Sequence, residues 1–561
     1  MISHVMHPGL ILILGGLMLA FCKDSVRAKL ALLLPLLVLY LVWQVPDGAA
    51  WHASFLQHTL TPLQGDKLSR LFATIFSLAA FGGALFAFTQ KSRIEVPAAF
   101  VYAGSAIGVV FAGDLITVFV FWELMAIGST LVLWSKGDEK SYQSARRYLM
   151  VHLFGGVVLF AGITGHIVNT GDVTFTKLML DSPAQWLILA GFLINAGAPP
   201  FSAWLPDAYP EASWSGAVFL SAFTTKTAVY VLIRGFPGAE VLIGIGLFMV
   251  FYGIVYALLE NDMRRILAYS IVSQVGFMVT AVGIGTEMAL NGAAAHAFAH
   301  IIYKALLLMS AGSVLMMTNT RNCTSLGGLY RTMPLTATCG IIGALAISAF
   351  PLTSGFISKS MIAQAAADSH LQWVWMLLAA ASAGTLFYAG LKFTWFVFFQ
   401  KDSGLRPEEP PKTMRWAMML FAVLCIALGV WPEALYALLP YPVAYVPYTA
   451  THIVAQLQMM LFVGLAFFIL LPYISRTLTI TLDSDWLWRK LLPMLANGGD
   501  ALLGGLNRLG KQVLRVLSAG AIKWAREEEN EGGWFTRSWP TSTMALWVLV
   551  ILLAYLVGYY I

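Results

Sequence analysis

The chain has 561 residues, 59% hydrophobic and 11% charged, with 18 tryptophans and a formal net charge of +6. Soluble domains carry roughly 25% charged residues, so this composition excludes an ordinary soluble protein and points to a chain that crosses a bilayer many times. The basic residues lie mostly in loops between apolar runs, which reads as membrane topology rather than nucleic-acid binding.

Apolar runs long enough to span fall near 8–22, 27–45, 67–89, 95–113, 115–135, 143–168, 184–205, 213–235, 239–259, 262–284, 287–316, 332–351, 371–400, 414–432, 450–475 and 541–561. A spanning helix needs about 20 residues, so the pattern predicts an all-α polytopic membrane protein with about 14–16 transmembrane helices. No Lys or Arg precedes the first run, and Lys23, Arg27 and Lys29 follow it. That order predicts no cleavable signal peptide and an N-terminus outside the cytoplasm. Alternating the runs from there puts most basic residues in inner loops. Lys67, Arg70, Lys177, Arg234 and Lys359 fall on outer loops or their flanks, and the alternation brings both termini outside.

Two runs are interrupted, by Asn195-Ala-Gly-Ala-Pro-Pro-Phe201 with Pro199 and Pro200, and by Ala349-Phe-Pro-Leu-Thr-Ser-Gly355 with Pro351. Proline removes a backbone donor, and a broken helix survives in a membrane only where protein or a polar cavity covers the freed groups. Similar breaks about 150 residues apart suggest a duplicated unit of about five helices. The chain divides into N-terminal transmembrane helices (1–64), a core (65–432), a further helix (433–475), a polar to amphipathic region (476–540) and a last helix (541–561). In the amphipathic region Arg508, Lys511 and Arg515 share helical spacing, which suits a helix on the cytoplasmic membrane surface or against a partner. A solvated linker is the alternative.

The chemistry-bearing residues stand inside the apolar runs. A charge near the bilayer centre costs roughly 2.5–3.5 kcal/mol on insertion scales, so such residues usually face a partner, water or an ion path. His296, His300 and Lys304 follow i, i+4, i+8 spacing and form one helical stripe. Imidazole exchanges protons near neutral pH, so the stripe suits a proton relay; interhelical hydrogen bonding is the structural alternative. Glu123 and Lys226 suit a coupled acid–base pair, or a static ion pair. Lys392 suits an entry or exit residue, or one that snorkels to the interface. Ser270, Ser273 and Gln274 could order water or join helices. There is no phosphate loop and no dinucleotide fingerprint. The four cysteines, Cys22, Cys323, Cys339 and Cys425, are far apart. No cofactor and no metal site is therefore expected.

The stretches FVFWELMAIGS, FSAWLPDAYPEASWSGAVFLSAFTTKTAVYVLIR, NDMRRILAYSIVSQVGFM, HAFAHIIYKALLLMSAG and FPLTSGFISKSM resemble the proton-conducting antiporter module. That module is shared by respiratory complex I membrane subunits, membrane-bound hydrogenases and Mrp-type sodium/proton antiporters. The likeness covers residues 65–430, and the tail RSWPTSTMALWVLVILLAYLVGYY resembles that of proteobacterial sodium/proton antiporter D subunits. The resemblance implies two inverted five-helix repeats around a polar axis, with Glu123, Lys226, His296, His300, Lys304 and Lys392 at translocating positions. It implies a lysine where this chain has Asn195, and a histidine at Ser202. It further implies partner subunits in a bacterial inner membrane, with protons and sodium as cargo. A proton-pumping subunit of a redox-driven complex, or of an inorganic-carbon uptake complex, is the alternative.

Overall fold

Away from water every backbone amide must find its partner within the segment, so the apolar runs wind into helices. The computed structural model describes residues 5–474, scattered positions between 483 and 523, and 541–560. In chain order the first helices are α1 (Pro8–Leu19), α2 (Asp24–Val42), α3 (Lys67–Phe86), α4 (Glu95–Phe111), α5 (Leu115–Trp134), α6 (Glu139–Thr170), α7 (Pro183–Ala196), α8 (Trp204–Ala208), α9 (Gly216–Ala222) and α10 (Thr224–Gly235). They are followed by α11 (Val241–Leu259), α12 (Met263–Ile284), α13 (Glu287–Thr318), α14 (Pro334–Ile347), α15 (Ser354–Asp368), α16 (Gln372–Thr385), α17 (Lys412–Val430), α18 (Pro432–Tyr436) and α19 (Ala450–Leu470). A separate unit, 486–561, holds a last helix, Thr541–Tyr560. Most of the amphipathic segment expected over 476–540, including Arg508 and Lys511, lies outside the described residues.

Every apolar run carries a helix, and eleven helices among the described residues are long and apolar enough to cross a membrane. About half of them start at a side-chain cap. Asp114 accepts from the Thr117 amide at 2.7 Å, Asp138 from Ser141 at 2.8 Å and Asp262 from Arg264 at 2.8 Å. Helix α12 and the α9–α10 pair are buried over the whole of their apolar windows, whereas α19 is buried over only 11% of its own. The centre of the fold is therefore α10, α12 and α13. Between α11 and α12 the backbones come together at glycines: a Cβ on Gly253 would lie 2.6 Å from the Tyr269 carbonyl. Small residues permit this approach.

The structure departs from the sequence reading in four places. An antiparallel hairpin, β1 (Gly48–Phe55) with β2 (His58–Gly65), fills the gap before α3. Its Thr61 amide donates to Asp114 at 2.8 Å, and Trp51 Nε1 donates to the Val5 carbonyl at 3.0 Å, so it is anchored to the helices. Lys359 is not on an outer flank: it is 4% exposed, within α15. Ser354, Ser358 and Ser360 lower the hydropathy of that helix and hid it. Finally, beyond the two proline breaks, the helical run over 216–235 is interrupted at Phe223 (φ −104°, ψ −67°), and the continuation of α16 over Leu386–Phe393 is wound as a π-helix.

A polar axis through the bundle as candidate functional site

Interrupting a helix leaves carbonyls without their usual donors, and buried carbonyls need one. The Phe223 interruption leaves the Ser221 carbonyl in this state. Lys226, in the first turn of α10, meets it, its Nζ donating at 2.6 Å, and donates again to Thr225 Oγ1 at 3.0 Å. The end of α14 repeats the arrangement. There Lys359 Nζ donates to the Ile347 carbonyl at 2.8 Å and lies 4.8 Å above the Phe277 ring. Sequence reasoning missed this residue as part of the site; the signal was a lysine three residues after Phe356 in FPLTSGFISKS.

Between these lysines runs the α13 stripe. His296, His300 and Lys304 have no exposed surface. Lys304 Nζ donates to Ser270 Oγ of α12. His296 Nδ1 lies 2.9 Å from Ser358 Oγ, one residue before Lys359, and its Nε2 lies 3.4 Å from the Tyr303 hydroxyl. Neither ring nitrogen of His300 has a protein partner among the described residues. Tyr303 donates to Gln274 Oε1 at 3.4 Å, and Gln274 Nε2 donates to Thr385 Oγ1 at 3.3 Å, leading from the stripe to the π-helical segment. Lys392 stands in that segment, 1% exposed, with Nζ donating to the carbonyls of Ala257 (3.0 Å), Leu258 (2.6 Å) and Glu260 (2.6 Å) at the end of α11.

Glu123 and Lys226 are not brought together. Lys226 is turned into the Phe223 interruption, while Glu123 sits on the side of α5 that meets α6, packed on Gly156. Its Oε1 has no hydrogen-bond partner among the described residues. Asn195, 1% exposed at the end of α7, bonds through Oδ1 to His152 Nδ1 of α6 at 2.8 Å. The breaks at Pro199, Pro200 and Pro351 lie where expected, in the turns after α7 and α14. Ser202, in the first turn, is 1% exposed with an unpartnered hydroxyl.

Two further buried groups escaped the sequence reading. Glu95, opening α4, receives hydrogen bonds from Ser213 (2.7 Å), Ser215, Gln90 (3.1 Å) and Ser135 (3.2 Å). Hydroxyls connect α4, α6 and α10: Tyr102 and Thr224 lie 2.6 Å apart, Tyr148 and Thr224 3.4 Å. In the loops, Arg321 bridges Glu211 at 2.6 Å and Asp262 at 2.8 Å. Burial pushes the Glu211 carboxyl up, but the hydrogen bond and charge of Arg321 outweigh it and hold the group below its usual range. Among the described residues no cluster of three His, Cys, Asp or Glu could hold a metal.

Residues 112–385 match the family described as NADH:quinone oxidoreductase/Mrp antiporter, transmembrane. This stretch carries that family's antiporter-like transmembrane module, and the chain is a multi-pass membrane protein. Among curated relatives, a probable K(+)/H(+) antiporter subunit of Rhizobium meliloti is 30% identical over 401 residues, covering 66% of this chain. The match spans 40% of that relative's own length. Among solved structures, a chain of the Mrp complex from Dietzia superposes with a TM-score of 0.68 at 22% identity, over 77% of this chain and 95% of the other. A chain of the archaeal membrane-bound sulfane sulfur reductase superposes at 0.69 and 23%, over 82% and 100%. At these identities the structures establish the fold.

Proposed function

We propose that the chain is the ion-translocating subunit of a hetero-oligomeric Mrp-type cation/proton antiporter in a bacterial inner membrane, with its antiporter-like core over 65–432 and both termini periplasmic. Protons pass along Glu123, Lys226, Lys304, His300, His296 and Lys359, with Lys392 at the end reached through Gln274 and Thr385. The observation that carries this reading is the pair of buried lysines, Lys226 and Lys359, each bonded to a carbonyl at a helix end and linked by the His296–Lys304 stripe. Among the described residues the ion pairs of the protein are made by other side chains than Lys226, Lys304 and Lys359, so each of these amines can change charge without leaving a carboxylate stranded beside it. Protons and sodium are the proposed cargo, and other membrane subunits the proposed partners.

Alanine at Lys304 or Glu123 then abolishes sodium-dependent growth of an antiporter-deficient host expressing the complex. Normal growth of either variant at normal abundance refutes the path. The other reading is a proton-pumping subunit of a redox-driven complex, favoured by the superposition on the sulfane sulfur reductase chain. Purifying the native complex separates the two: small antiporter subunits support the first, and iron–sulfur subunits the second.

A further inference from the structure

Four buried polar atoms without protein partners among the described residues lie on α5, α6 and the turn after α7. Trp122 Nε1 and Glu123 Oε1 belong to α5, His152 Nε2 to α6 and Ser202 Oγ to the turn. Buried polar groups are almost always hydrogen-bonded to protein or to water, so unpartnered ones mark places that take up water or charge. His152 carries one of them. It is 1% exposed, its ring centroid lies 4.1 Å from that of Tyr148 and 4.7 Å from that of Trp204, and Asn195 holds its Nδ1.

With Asn195 Oδ1 accepting, Nδ1 carries the ring proton and Nε2 presents a lone pair. Gly156, on which Glu123 packs, is four residues from His152 along α6, about 6 Å of rise. On its other side, Tyr148 donates to Ser129 at 2.9 Å and lies 3.4 Å from Thr224, two residues before Lys226. The imidazole thus stands between the Glu123 carboxylate and the hydroxyls that lead to the Phe223 interruption.

We infer that His152 is a proton-carrying residue of this protein, fixed in its working tautomer by Asn195 and joining Glu123 to Lys226. Nε2 accepts a proton arriving by way of Glu123, giving an imidazolium whose Nδ1–H stays on Asn195. The same nitrogen releases the proton toward Thr224 and Lys226, restoring the neutral ring. Asn195 is a positioning residue: its amide cannot hold a proton, and its carbonyl selects which nitrogen does. The inference rests on the antiporter reading given above.

The test is cation-driven proton flux, read with a pH-sensitive dye in vesicles holding the full chain and the subunits that purify with it. His152→Gln keeps a hydrogen-bonding group beside Asn195 and removes the titratable one. It is expected to lower flux tenfold or more at unchanged chain abundance. Adding Asn195→Lys to that variant restores an ionisable group at the same spot and is expected to recover at least half the flux. A purely structural histidine would give no such recovery. Normal flux with His152→Gln, while Lys304→Ala abolishes it, overturns the inference and leaves the antiporter reading standing. A double variant no better than His152→Gln overturns the inference too. Normal flux in both His152→Gln and Lys304→Ala overturns both readings.

Discussion

Lys359 stands to Ile347 as Lys226 stands to Ser221: a buried amine donating to a carbonyl where a helix has ended. The distances, 2.8 and 2.6 Å, are those of charge-assisted hydrogen bonds. Each lysine therefore completes the backbone at an interruption as well as standing on the polar axis, and the helix end is sensitive to the amine's charge. Losing the proton shortens the supply of donors without removing the bond, because a neutral amine still has N–H groups.

Lys359→Met tests this double role. Methionine fills similar volume but leaves the Ile347 carbonyl without its donor, at a cost of about 1–3 kcal/mol for a buried acceptor. Proton flux should fall tenfold or more, and the purified chain should unfold in detergent several degrees earlier. Flux at the normal rate would remove Lys359 from the path.

Gly156→Ala probes the carboxylate from the opposite helix. The added methyl would overlap Oε1 of Glu123, the free end of a flexible side chain, so Glu123 rotates away while the helices stay packed. The expected result is a severalfold loss of flux at unchanged chain abundance. Unaltered flux would show that the carboxylate's position on α6 is immaterial.

At the α11–α12 contact the expected outcome is reversed. A Cβ on Gly276 would lie 2.5 Å from the Gly246 carbonyl and 2.7 Å from the Val250 amide, both backbone, which cannot swing aside. Gly276→Ala should separate two helices of the core and lower the membrane abundance of the chain, measured by immunoblot, more than Gly156→Ala does.

The Arg321 bridge gives a pH dependence. Glu211 is held below its ordinary range, so its ion pair stabilises the fold fully above the ordinary glutamate value, about 4.3, and the contribution is lost as pH falls through the depressed folded value. Arg321→Gln should lower the unfolding temperature at pH 7 and flatten its fall between pH 5 and pH 3. A variant with the same acid slope as the parent would show that the Glu211 bridge does not govern it.

What was legible in the sequence is what one helix determines by itself. The apolar runs, the i, i+4, i+8 stripe of His296, His300 and Lys304, and the proline breaks depend on neighbours along the chain, and they appear in place. The relation of Glu123 to Lys226 depends on which way side chains point on α5 and α10, and there the pairing read from the sequence does not form. Lys359 was hidden because three serines dilute α15, and the hairpin because its strands are too short and mixed to stand out beside the apolar runs. The Phe223 interruption has no proline or glycine to announce it. His152 and Glu95 lay in plain view within apolar runs, but only the packing of α6 on α7, and of α4 on the Ser213–Ser215 turn, supplies their partners.

The π-helical winding over Leu386–Phe393 leaves the segment that carries Lys392 shorter and wider than the same residues would be in an α-helix. Rewinding even one turn would lengthen the segment and rotate everything beyond it about the axis. Lys392 would then swing off the carbonyls of Ala257, Leu258 and Glu260, which it now clasps from the neighbouring helix. The clasp and the winding thus hold one another. In this state the segment resembles a ratchet pawl at rest, with its tooth set in the carbonyls of the neighbouring helix.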